Sequence, residues 1–127
     1  MSRTENFSIE TDPKLACTCG HKDCDKRQVK QHILEMLQYV RDVVNRPVIV
    51  NSGGRCPNHI DEVHRDKPAD HQKCQAIDVS AKTSVERGEI LEAAIEIGFN
   101  AIGIYSWGLH LGYRRERLGK SPLVWVK

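Results

Sequence analysis

Two strand-like segments each carry one metal-ligand side chain on the face opposite their bulky apolar residues. In Ala76-Ile77-Asp78-Val79-Ser80, alternation puts Ile77 and Val79 on one face and Ala76 and Asp78 on the other. In Gly108-Leu109-His110-Leu111-Gly112, the leucines share one face, and His110, Gly112 and then Arg114 share the other. Leucine, isoleucine and valine belong in a core, so Asp78 and His110 must point away from it. If the two strands pair, with a core on one side, Asp78 and His110 can converge in a cleft on the other. His71 precedes Asp78 with six residues between them, so it enters the same cleft from the preceding loop. Imidazole and carboxylate are good zinc ligands, and three of them leave a tetrahedral ion one position short. An open position is what separates a catalytic zinc site from a structural one.

The rest of the chain supplies the frame. Residues 1–25 form a polar, turn-rich arm that only Phe7, Ile9 and Leu15 can anchor. Val29, Ile33, Leu34, Met36, Leu37, Val40, Val43 and Val44 fall at spacings of three and four, which predicts a helix over 26–44. Pro47 ends it through the restriction that proline places on Arg46. The β-branched run 48–50 reads as a strand, and 55–70 as a long polar loop. A strand over 75–80 follows. Thr83-Ser84-Val85-Glu86 fits a capping box and opens a helix over 84–97, with Leu91, Ala94 and Ile95 inward and Gly98 as its C-terminal cap. Segments 101–105 and 108–111 read as an antiparallel hairpin around Ser106-Trp107, and 123–126 as a last strand. The fold class is therefore α+β: a small antiparallel sheet, two main helices on one face, the site on the other.

A length of 127 residues fits a single domain spanning 1–127. Nineteen basic against 17 acidic residues gives no reason to expect nucleic acid or a membrane surface as partner. No apolar run is long enough to span a bilayer. The first residues, Met1-Ser2-Arg3-Thr4-Glu5-Asn6, show no apolar signal region, so synthesis and retention in a reducing cytoplasm are expected unless another factor exports the protein. In that setting the five cysteines are not expected to form disulfides. Cys17, Cys19 and Cys24 lie close enough in sequence to ligate a second, structural zinc, with Cys56 as a fourth ligand brought in by the fold. Buried thiols without a metal are the alternative. Cys74 near His71 makes a poor nucleophile pair, because a histidine that serves a metal is not free to be a base.

From Val50 to Asp78 the chain resembles the zinc D-Ala-D-Ala carboxypeptidase family, which shares the Hedgehog/DD-peptidase fold and includes phage endolysin peptidases. Ser52, Gly53, Arg55, Cys56, Pro57, His59, Val63, His71, Ala76 and Asp78 match that family's blocks without a gap. Gly103-Ile104-Tyr105, His110, Arg114 and Trp125 are similar to its later segments. The resemblance implies a Zn2+ cofactor held by His71, Asp78 and His110. It gives Arg55 the binding of a substrate carboxylate or tetrahedral oxyanion, which a forked guanidinium suits. It makes Arg114 a second substrate-binding residue. The implied activity is a metallopeptidase acting on peptidoglycan cross-link or stem peptides. The implied setting is phage or prophage, with release to the wall by a holin or inside a virion.

The departures bear on catalysis. Gly54 replaces the family tyrosine, Cys74 replaces a glycine inside the motif, and Gly112 replaces an aspartate two residues after the last ligand. If position 74 needs a positive φ, a cysteine there is strained. Other branches place the base three or two residues before the last histidine, where this chain has Trp107 and Gly108. Metal-assisted hydrolysis needs a proton acceptor. Three accounts stay open. Asp70, Asp66 or His64 takes over as base; the metal activates water with weak assistance; or the domain binds metal and wall peptide, or a protein partner, without cutting.

Overall fold

The computed structural model describes residues 2–127. Its elements are α1 (Gln31–Val44), β1 (Val50–Ser52), β2 (Ala76–Ser80), α2 (Ser84–Ile97), β3 (Ala101–Ile104), β4 (Gly108–Gly112) and β5 (Leu123–Val126). The five strands make one sheet in the order β1-β2-β4-β3-β5. The architecture is α+β, as the residue pattern predicts.

Pairing places like residues in rows. Asp78 lies directly opposite His110, and Gly103 opposite His110 on the other side. Ser52 pairs with Asp78, and Trp125 with Gly103. Ser52, Asp78, His110, Gly103 and Trp125 therefore form one row across the sheet. The neighbouring rows hold Ile77 opposite Leu111 opposite Ile102, and Val79 opposite Leu109 opposite Ile104. All but the half-buried Ile104 are buried in a core completed by Ile33, Leu34, Leu37 and Val40 of α1 and Ile90, Ala93 and Ala94 of α2. Phe7 and Leu15 bury from the arm into the same cluster, with Ile9 packed at its edge.

Several boundaries differ from the sequence reading. Helix α1 starts five residues later than position 26, because 27–29 pairs with the arm: Cys17 N–H donates to the Arg27 carbonyl and Val29 N–H to the Leu15 carbonyl. Strand β1 is shifted to Val50–Ser52, since an irregular step between Val50 and Ser52 carries the pairing past the β-branched run. In α2 the inward side is Ile90, Ala93 and Ala94 with Leu91 partly covered, while Ile95 is exposed. The sheet is also not wholly antiparallel. The Leu123 N–H donates to the Asn100 carbonyl, which starts β5 beside the start of β3, so the two run parallel. The Thr83 side chain accepts from the Glu86 N–H, and Gly98 closes α2 in the left-handed region. No helix among the described residues is long and apolar enough to cross a membrane.

The segment before β2 is one tight turn ended by a Schellman motif. Gln75 N–H donates to the Asp70 carbonyl, Cys74 N–H to the His71 carbonyl, and Cys74 has φ +60°. Glycine normally takes that position, and a β-carbon there costs roughly 1–2 kcal/mol. Cys74→Gly should raise stability by up to about 1 kcal/mol, once the lost burial of a small thiol is subtracted. Urea denaturation of the two proteins, with unchanged m-value, measures it.

Candidate metal centre

Three elements bring three ligand atoms together. His71 comes from the turn before β2, Asp78 from the middle of β2 and His110 from the middle of β4. His71 Nε2 lies 3.1 Å from Asp78 Oδ1. His110 Nδ1 lies 3.0 Å from the same oxygen and 3.2 Å from His71 Nε2. A tetrahedral zinc ion with ligand bonds near 2.0–2.1 Å has ligand-to-ligand edges of about 3.3 Å. The triangle is close to that size before any ion is considered.

The outer nitrogen of each imidazole is already engaged. His71 Nδ1 lies 2.7 Å from the Gly53 carbonyl, which can only accept, so this nitrogen donates. His110 Nε2 lies 3.1 Å from Asp70 Oδ2, and it donates in turn to that carboxylate. Both neutral rings then present a lone pair to the triangle, where Asp78 presents another. Three acceptors facing one point repel one another unless a cation lies between them, and the donor set suits zinc.

Surrounding charges favour that cation. Burial alone would raise the carboxyl of Asp78, but hydrogen bonds with His110 and His71 outweigh it and hold the group below its ordinary range. Asp70 is also desolvated, yet His110 and Arg114 bring it down to about 2. For His110 burial opposes the charged form, while Asp70 and Asp78 raise the ring above its ordinary value.

A second layer of side chains holds the ligands. Arg114 Nε lies 2.9 Å from Asp70 Oδ1 and its Nη2 lies 3.1 Å from Oδ2, a two-pronged pairing. Arg55 donates from Nε to Ser52 Oγ at 3.0 Å and from Nη2 to Asp78 Oδ2 at 3.1 Å. Its Nη1 lies 3.4 Å from Glu62 Oε2. Glu62 is only 2% exposed and also meets Arg65 Nε and Gln72 Nε2, each at 3.2 Å. Sequence reasoning missed Glu62, Gln72 and the Gly53 carbonyl. Glu62 sits in a polar loop beside Asp61 and Asp66, where composition gives no sign of which acid is buried.

The loop residues weighed as proton acceptors separate clearly. Asp70 stands behind His110, on the nitrogen turned away from the triangle. His64 lines the cleft in front of the triangle, a space of about 540 Å3, whereas Asp66 does not. Gly112 explains how Asp70 reaches its place: a β-carbon at 112 would lie 3.0 Å from Asp70 Oδ2 and 3.1 Å from His110 Nε2. The loop carboxylate thus uses room that a side chain on β4 would occupy. Gly103 plays a similar part, because a β-carbon there would meet the Trp125 ring at 2.5 Å. Trp125 crosses the strand at that point, 5.4 Å from the His110 ring, and donates from Nε1 to the Tyr105 hydroxyl at 3.1 Å. Tyr105 stacks on Trp107, making one aromatic wall of the cleft.

The other cluster forecast from the sequence also assembles. Cys17, Cys19, Cys24 and Cys56 place their sulfur atoms within 4.8 Å of one another, and all five cysteines are free thiols.

On an α+β sheet, two histidines and an aspartate converge at the floor of an open cleft, a group that could hold one metal ion and leave a position open. The family model for Peptidase M15 matches residues 8–111, and the chain belongs to this family. Membership indicates a metallopeptidase of the D-Ala-D-Ala carboxypeptidase-like kind, a class that generally depends on zinc. Among proteins with curated functions, none matches the chain.

Proposed function

We propose that the chain is a zinc-dependent peptidase that cleaves stem or cross-link peptides of peptidoglycan. The observation that carries this reading is the triangle of His71 Nε2, Asp78 Oδ1 and His110 Nδ1, with edges of 3.0–3.2 Å and both outer ring nitrogens occupied. Zinc bound there supplies Lewis-acid polarisation of a carbonyl and makes water easier to deprotonate.

The chain's own residues do the rest. His71, Asp78 and His110 hold the ion. Asp70 positions His110 rather than serving as base, since it pairs with the ring nitrogen turned away from the triangle and is held there by Arg114. Arg55 braces Asp78 and lines the cleft, where its fixed charge attracts a terminal carboxylate or a developing oxyanion. Arg114, whose guanidinium lies 5.9 Å from the centre of the Trp125 ring, gives the far wall a second cation. Peptides ending in a D-amino acid carboxylate fit a cleft lined by Arg55, Arg65 and Arg114. His64 and Asp61 are the loop groups along the cleft that remain to receive a proton. A phage or prophage origin, with delivery to the wall by a holin or in a virion, accompanies this reading.

One observation favours a second reading, a domain that binds metal and wall peptide without cutting. Position 112 carries no acid, and the two cleft carboxylates nearest the ligands, Asp70 and Glu62, are both tied to arginines. Incubation with purified peptidoglycan and zinc, followed by mass spectrometry of released peptides, separates the two. Metal-dependent release supports the peptidase. Retained pull-down on peptidoglycan without release supports the binder.

Asp70→Asn tests the positioning role. It should weaken zinc binding about 10- to 100-fold, the usual effect of losing a carboxylate behind a ligating histidine. Competition with a chromophoric chelator measures this, and unchanged affinity would remove Asp70 from the centre.

A further inference from the structure

We infer that Cys17, Cys19, Cys24 and Cys56 hold a second zinc ion, a structural one that fastens the N-terminal arm beneath the first centre. The claim is independent of catalysis. Four thiolates at about 2.3 Å from a zinc ion lie about 3.8 Å apart. Here all four sulfur atoms fall within 4.8 Å of one another, and Cys19 Sγ and Cys56 Sγ are 3.5 Å apart. Cys17, Cys19 and Cys24 come from the arm, while Cys56 lies 32 positions beyond Cys24, after β1. A set drawn from such distant segments, with Cys17 and Cys56 buried, is a closed four-ligand arrangement with no open position.

The backbone around the sulfurs is prepared for negative charge. His21 N–H donates to Cys19 Sγ at 3.4 Å, and Lys26 N–H donates to Cys24 Sγ at 3.3 Å. Both bonds run from the residue two positions after the cysteine. Gly20 at φ +74° and Lys26 at φ +53° make the reversals that aim these groups. Donors directed at ligating sulfur are the outer partners expected of a metal thiolate. A disulfide, which needs sulfur atoms about 2.05 Å apart, would join two of these residues and leave the other two unexplained.

The location gives the ion its consequence. Cys56 follows Arg55, which braces Asp78, and lies three residues after Gly53, whose carbonyl holds His71. Gly54 N–H donates to the Leu15 carbonyl, so arm and segment already touch. Zinc across the four cysteines clamps the segment that carries both of these contacts.

Cobalt substitution of the whole protein decides the matter. Cobalt held by thiolates absorbs strongly in the near ultraviolet through sulfur-to-metal charge transfer, whereas ligation by His71, Asp78 and His110 offers no sulfur. The expected result is a charge-transfer band that survives in His71→Ala and disappears in Cys19→Ser and Cys24→Ser. Cobalt-loaded wild-type protein without that band would overturn the proposal. So would a Cys19–Cys56 disulfide found by peptide mapping after alkylation of the native zinc-loaded protein. If the serine variants do not fold, mercurial titration of the zinc-loaded wild type replaces them. Zinc released in step with thiol modification supports the site, and modification of all five thiols with no release refutes it.

Discussion

Asp78→Ala should leave the first centre unable to hold zinc and should destabilise the metal-free protein by about 3 kcal/mol. Both effects follow from the place of this carboxylate. It receives Arg55 on one oxygen and faces both ring nitrogens with the other. Removing one partner of a buried ion pair leaves the other uncompensated, at a cost of about 3–5 kcal/mol. The lower end applies because Glu62 still accompanies Arg55. Metal analysis after purification without added zinc reads the first effect, and urea denaturation in chelator reads the second. A variant that kept a full complement of metal at this centre would refute the ligand assignment.

Glu62→Ala should cost about 3 kcal/mol, the lower end again because Asp78 still accompanies Arg55, although the residue lies in a polar loop. Its carboxylate is the common acceptor for Arg55, Arg65 and Gln72. Alanine leaves the buried side of Arg55 and the Gln72 amide without it. Glu62→Gln keeps the shape and one acceptor, so it should cost less than half as much. Chemical denaturation of the three proteins checks the order. Equal stability of Glu62→Ala and wild type would show that Arg55 finds another partner, and the loop would then be held from elsewhere.

The frame of the site was legible because strand periodicity ties it to the core. Shifting β4 by one residue against β2 would move Leu109 and Leu111 into the cleft and His110 into the core. Each buried leucine contributes about 1.5–3 kcal/mol, so apolar packing fixes the register that puts His110 opposite Asp78. Alternation alone therefore placed two ligands on one face. It could not fix His71, which depends on the Schellman turn; the strained cysteine at the turn's left-handed position was legible only through the family resemblance. Nor could it find the start of α1, where hydrophobic spacing continues through residues whose backbone pairs with the arm. The parallel course of β5 was hidden for a similar reason. Its direction is set by a hydrogen bond from Leu123 to Asn100, and no residue pattern within 123–126 encodes that. The loop 55–70 was the least readable, because what orders it is one buried acid among several identical in chemistry.

The shared space of Gly112 and Asp70 makes these two positions sterically dependent on each other. A β-carbon on residue 112 would press on Asp70 Oδ2 at 3.0 Å and on the Ala101 carbonyl at 2.9 Å. An aspartate restored there meets an occupied seat, and its first effect is to displace the carboxylate that orients His110. A smaller, uncharged residue at position 70 would relieve the contact with Asp70 but not the one with the Ala101 backbone, so the two positions are best varied together.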